Sequence, residues 1–173
     1  TQEKHGLRIL AGAGGFRLPA EVPTFATTFK AQGYSTAAIH SAFPVSSVYG
    51  FDRGFDLFEE VVPSSGGLDT KEDGTVGWDV STGQRRSDVT TDRVLEFLAS
   101  TDDPFFLWIH YWDPHDYRYF PPQDFVGDRV RLSDQNLPIG DDGRPRWDSE
   151  TYGLEISYVD HRSEEHTSEL QSR

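Results

Sequence analysis

A chain of 173 residues, 35% hydrophobic and 13% aromatic, can bury one core, which excludes a disordered polypeptide. Its formal charge of −13, from 16 Lys and Arg against 29 Asp and Glu, excludes binding to a nucleic-acid backbone, which needs a basic surface. Cysteine is absent, so disulfides and thiolate metal sites are excluded, and no apolar run approaches the roughly 20 residues of a membrane-spanning segment.

The chain opens at Thr1 and holds no Met, so its true start is expected upstream, and its compartment is left open. Residues 5–18 are Gly-rich and loop-like. Gly12, Gly14 and Gly15 lack the following Lys-Ser or Lys-Thr and the helix of a phosphate-binding loop, so a surface loop is expected. Pro23-Thr24 opens a helix with Thr24 as N-cap; Phe25 and Phe29 share a face, and Gly33 ends it. Ser35 to Ile39 is a short strand with His40 at its carboxyl end. Gly50, Asp52, Gly54 and Asp56 then form a turn, and the Phe55–Phe58 run a second strand. Residues 63–86 read as a long, irregular, functional loop.

Ser87 or Asp88 caps the next helix, which runs to about Ser100 with Val94, Leu95 and Leu98 on its apolar face. Pro104 to Asp116 (PFFLWIHYWDPHD) begins as an unbroken apolar run, the pattern of a strand buried on both faces in a parallel sheet. Residues 121–148 read as an irregular charged insertion. Asp148 or Ser149 caps a last helix with Tyr152, Ile156 and Val159 on one side. The alternation of helix and strand predicts an α/β fold.

In open α/β sheets, ligands lie beyond the carboxyl ends of the strands. The apolar run ends in His110, Asp113, His115 and Asp116, the one dense ionisable cluster that follows a buried strand. Imidazole with carboxylate suits a metal site, and protonated histidine suits a sulfate or phosphate oxygen. Equally, His110 suits a hydrogen-bonded core histidine and Asp113-Pro114 a turn. His115, past the strand, is the better candidate of the two histidines. His40 reads as a strand-end histidine without a ligand. Ser46, Ser47 and Ser64 lack a G-x-S-x-G setting. Trp108, Tyr111 and Trp112 read as core and pocket wall.

Four segments occur here in a telling order: HGLR; the stretch from Arg17 to Asp56 (RLPAEVPTFATTFKAQGYSTAAIHSAFPVSSVYGFDRGFD); PFFLWIHYWDPHDYRYFPPQDF; and YGLEISYVD. Together they resemble the N-terminal catalytic domain of sulfatases, within the alkaline phosphatase-like superfamily, over nearly all of residues 5–160. The resemblance implies a partial alkaline phosphatase-like fold, a mostly parallel sheet flanked by helices, in residues 1–161. It implies a metal-dependent hydrolase that cleaves a sulfate monoester, small or glycan-borne. It also implies a divalent cation, calcium in most sulfatases, and a formylglycine nucleophile made from a Cys or Ser in a C/S-x-P-S-R motif. The nucleophile and the first metal carboxylates are expected before Thr1 and the remaining ligands after Asp160, so no metal ligand is assigned within the chain.

By the same resemblance, the His of Pro114-His115 approaches the sulfate and the leaving-group oxygen, which makes His115 catalytic and substrate-binding, with His110 a second substrate contact or its buttress. Many sulfatases carry G-K-W-H after the first of these strands; here His40-Ser41-Ala42-Phe43 stands in its place, without the Lys and His that contact sulfate. Alternatives are a phosphodiesterase, phosphonate hydrolase or phosphoglycerol transferase of the superfamily, or an inactive relative serving as a binding module. Residues 162–173 (RSEEHTSELQSR) are similar to the in-frame translation of a sequencing adapter and are expected to be foreign, which sets His166 aside; the rival reading is a charged helical end.

Overall fold

A computed structural model describes residues 14–15, 17–63, 68–70, 72, 76–78 and 83–171. In chain order its elements are β1 (Gly14–Gly15), α1 (Phe25–Ala31), β2 (Ser35–His40), β3 (Leu57–Glu59), β4 (Leu68–Thr70), β5 (Val76–Trp78), α2 (Ser87–Ser100), β6 (Phe105–His110), α3 (Gln123–Val126), β7 (Arg131–Leu132), β8 (Pro138–Ile139) and α4 (Ser149–Gln171). They fall into two compact units. The first holds the described residues up to Gln84 together with Thr101–His110; the second holds Arg85–Ser100 and the chain from Tyr111 onward.

In the first unit a three-stranded sheet has the order β3-β2-β6, with both pairings parallel. This is the expected α/β arrangement. The burial, however, is reversed. Ala37, Ala38 and Ile39 of β2 are fully buried, whereas every residue of β6 is only half-buried. Position explains it. β2 is the central strand, while β6 lies at an edge of this sheet among the described residues, and its apolar run serves partly as wall. Phe106 stacks on Phe29 of α1 at 4.6 Å, and Phe55 covers Phe106 and Trp108 at 6.0 and 6.1 Å.

Thr24 caps α1 as its sequence requires: its Oγ1 accepts from the Thr27 backbone N–H at 3.1 Å, and Thr27 Oγ1 accepts from the Thr24 N–H at 3.0 Å. Gly33 follows with φ +85°, the left-handed conformation that ends a helix. Phe25 does not share the inward face with Phe29; it is 78% exposed, and Ala26 is the buried residue of α1.

Gly54 has φ +92°, and a Cβ there would lie 2.5 Å from the Thr27 backbone nitrogen and 2.9 Å from the Ala26 carbonyl carbon. Both neighbours are helix backbone, which cannot move aside locally. Gly54→Ala is expected to lower stability by about 2 kcal/mol, read as a lower urea midpoint at unchanged slope.

The expected loop over residues 63–86 is partly strand. β5 pairs antiparallel with β4 and with β1, so Gly14 and Gly15 belong to a small sheet rather than a free surface loop; Gly12 lies outside the described residues.

In the second unit α2 packs against α4. Val94 and Leu98 of α2 are fully buried, as the spacing predicts. Asp148 caps α4: its carboxylate accepts from the Glu150 and Thr151 N–H groups at 3.0 Å each, and Thr151 Oγ1 accepts from the Asp148 N–H at 2.9 Å. The inward face of α4 differs from expectation. Tyr152 and Ile156 are exposed, while Thr151, Leu154, Glu155 and Tyr158 are buried. The buried set also follows helical spacing, but it contains a Thr and a Glu, so the apolar pattern concealed it. The segment expected to be an irregular insertion supplies core instead. Phe120, Val126 and Val130 join Leu154 in one cluster, and β7 and β8 form an antiparallel hairpin. α4 continues through the charged stretch after Arg162, which pairs with Asp92 at 2.8 Å and Glu165 at 2.9 Å.

Candidate active site

His40 and His110 end adjacent parallel strands in register with each other, at the carboxyl edge of the first unit's sheet. His40 is fully buried, and its ring meets Phe58 at 5.1 Å. His110 is half-buried with Trp108 edge-on at 6.4 Å; burial holds its imidazole below the ordinary range, so it is neutral at pH 7. Both are therefore sheet-edge histidines with an aromatic neighbour. His115 belongs to the second unit.

Past β6 the chain makes one 3-10 turn, Asp113–His115, started by Pro114. The turn sorts the ionisable cluster into different jobs. Asp113 is 1% exposed, and its Oδ1 accepts from the Ser87 N–H at 2.8 Å. It thus supplies the cap at the start of α2 that the sequence assigned to Ser87 or Asp88. Burial pushes the Asp113 carboxyl upward, with Asp88 adding to the shift and the Ser87 N–H opposing it. Asp113→Ala leaves that amide unpaired in a buried place and is expected to cost about 2 kcal/mol, measured by chemical unfolding. Asp116, also buried, accepts from the Arg118 N–H at 3.1 Å and from Arg118 Nε at 2.9 Å. Asp113 Oδ1 and the Asp116 carboxylate are thus engaged within the fold.

His115 remains. It is exposed, and its ring lies against that of Trp112 at 4.1 Å. It lines a hollow of about 270 Å³ with Pro114, Trp147, Asp148, Thr151, Tyr152 and Glu155. Glu155 is the residue that the sequence did not reveal. It is 5% exposed, and its Oε1 has no hydrogen-bond partner among the described residues. Burial, reinforced by Asp113 and Asp116, pushes its carboxyl up to about 7. The hollow therefore offers an exposed imidazole and a carboxyl that gains or loses its proton near neutrality. These are the components of proton transfer. A polar residue at a helix position otherwise occupied by core side chains was the one available signal for Glu155.

A larger hollow in the first unit, about 440 Å³, is walled by Phe25, Phe51, Phe55, Phe106 and Trp108, and no ionisable side chain among the described residues lines it. Trp108 is thus pocket wall, as expected, and Tyr111 is half-buried, its hydroxyl hydrogen-bonded with that of Thr91 at 2.8 Å. Ser47 Oγ donates to Glu60 at 2.8 Å, and Ser46 is fully buried, so neither is an exposed nucleophile. Ser64 lies outside the described residues. Among the described residues no three His, Asp or Glu side chains converge as a metal cage. The donor set here does not fit a divalent cation, and no chemical step is assigned to one.

The sulfatase family model matches residues 5–169. A search of curated proteins finds no match.

Proposed function

Because this chain belongs to the sulfatase family, whose model spans nearly all of it, we propose that it forms part of an enzyme cleaving a sulfate monoester, with His115 as the catalytic acid. The family is one of hydrolases that use a divalent metal and formylglycine. The single observation that carries the residue assignment is an exposed imidazole lining a hollow, on the turn that follows β6. When the sulfur–oxygen bond breaks, the departing alcohol oxygen gains negative charge and needs a proton. A protonated His115 supplies it and is left neutral. His110, neutral and half-buried, serves as a substrate-side contact or supports its strand end rather than moving a proton. The cation, calcium on this reading, and the formylglycine are taken from sequence outside residues 1–161. Residues 162–173 are taken as adapter-encoded, and resequencing the gene across Arg162 tests that.

Turnover of 4-nitrophenyl sulfate and of bis(4-nitrophenyl) phosphate by the chain joined to its flanking gene sequence tests the substrate. The sulfate ester is expected to show kcat/KM at least about tenfold higher. A preference for the phosphate diester would support the second reading, a phosphoester hydrolase of the same superfamily. One observation favours that second reading: His40, Ser41, Ala42 and Phe43 are all fully buried and include no Lys, so the Lys that contacts sulfate in many sulfatases has no counterpart in this stretch.

A further inference from the structure

The Asp113–His115 turn packs against α4, and the contact is acidic on both sides. Glu155 of α4, 5% exposed, lines the hollow with Pro114 and His115 of the turn. Two carboxyl oxygens here, Glu155 Oε1 and Asp113 Oδ2, are buried without a hydrogen-bond partner among the described residues. Away from bulk water, neighbouring charges of one sign repel strongly. The turn itself is slight. It spans 3 residues and is closed by the His115 N–H donating to the Trp112 carbonyl at 2.8 Å and the Asp116 N–H donating to that of Asp113 at 3.1 Å. Its conformation therefore depends on what it packs against.

The charges that act on Glu155 share its sign. Asp113 and Asp116 both raise its proton affinity. The nearby cations have other partners: Arg118 pairs with Asp116, Arg86 of α2 with Asp88, and Arg146 with Asp148, which lines the same hollow. From α2, the Ser87 N–H is directed to Asp113 Oδ1. One turn further along α4, Tyr158 is buried and its hydroxyl is pushed up to about 12, so it is neutral. His115 lines the hollow too, but it is exposed to water. An ionised Glu155 thus adds a buried negative charge to a contact that already holds Asp113 and Asp116, whereas a protonated Glu155 adds none.

We propose that neutral Glu155 is a positioning residue for His115: it lets the Asp113–His115 turn close against α4 and hold the imidazole toward the ester, and loss of its proton opens the turn. The inference rests on the assignment of His115 as the catalytic acid. Turnover then needs two protons. One is on the His115 imidazole and passes to the departing oxygen. The other is on Glu155 and stays there. The near-neutral titration of the Glu155 carboxyl sets the direction: the turn is closed below about pH 7 and opens above it.

The test has a structural arm and a kinetic arm. In the 173-residue chain the His115 and Trp112 rings, 4.1 Å apart across the turn, give a nuclear Overhauser effect. Wild type is expected to lose at least about half of that signal between about pH 5.5 and about pH 8.5, whereas Glu155→Gln, neutral throughout, keeps it. The Phe125–Tyr158 ring contact, 5.0 Å apart in the same unit, is expected to persist in both proteins. A pH-independent His115–Trp112 signal in wild type, an equal loss in Glu155→Gln, or simultaneous loss of the Phe125–Tyr158 signal would each overturn the proposal. In the complete enzyme, log kcat/KM for an alkyl sulfate is expected to fall at alkaline pH with a slope of about 2 in wild type and about 1 in Glu155→Gln. Equal slopes would overturn the proposal as well. A catalytically silent His115→Ala would instead remove the assignment of His115, while the ring contact still shows whether Glu155 closes the turn.

Discussion

His115→Ala in the complete enzyme is expected to lower kcat/KM for a sulfate ester by about 10²-fold or more, the ordinary contribution of a positioned general acid. The size of the loss depends on the leaving group. A 4-nitrophenolate departs readily without a proton, whereas a sugar or alkyl alkoxide does not. The variant should therefore lose more activity on an alkyl sulfate than on 4-nitrophenyl sulfate, and steady-state kinetics on both esters reads that difference. A substitution that merely loosened the turn would slow both substrates alike. The exposure of His115 makes the comparison clean, because removing an exposed imidazole leaves no cavity in the core. Turnover within twofold of wild type on the alkyl ester would remove His115 from the mechanism.

Glu155→Gln is expected to change stability as a function of pH more than any other single substitution considered. The folded chain holds the Glu155 carboxyl up to about 7 against an ordinary 4.5. A carboxyl that keeps its proton more tightly when folded favours the folded state at low pH. That advantage is complete below about 4.5, declines as pH rises toward 7 and is lost above it. The shift corresponds to about 3 kcal/mol, at 1.36 kcal/mol per unit, as an upper figure. The variant should match wild type at pH 4 and be the more stable protein at pH 8, by up to that amount. Urea unfolding at both values measures it. Asp113, also shifted upward by burial, keeps a slope of the same sign in the variant. Parallel curves for the two proteins from pH 4 to 8 would mean that Glu155 is ionised normally in the fold.

Local signals in this sequence were strong where one residue decides the outcome. Thr24 and Gly33 bound α1, Asp148 starts α4, and β2 lies one turn beyond a helix stop. The alternation of helix and parallel strand gave the fold class. Burial was less legible. β6 looked like the interior strand because Phe and Trp dominate it, yet the smaller residues of β2 occupy the centre. Which strand lies between which neighbours is decided by pairing over long sequence separations, and hydrophobicity alone does not contain it.

The site was half legible for a related reason. Four ionisable residues in seven positions suggested a single constellation; in the fold Asp113 Oδ1 accepts from an amide of α2 and Asp116 pairs with Arg118. Capping partners that come from distant segments cannot be read from spacing. Glu155 was hidden because it occupies an inward position on α4, where helical periodicity expects an apolar side chain.

The account turns on where His115 stands relative to the ester. The most direct measurement is a crystal structure of the complete enzyme with a bound sulfate monoester. The account predicts an imidazole nitrogen about 2.6–3.2 Å from the oxygen that bridges sulfur and the leaving group. A ring turned away from that oxygen, with another side chain placed to protonate it, would contradict it.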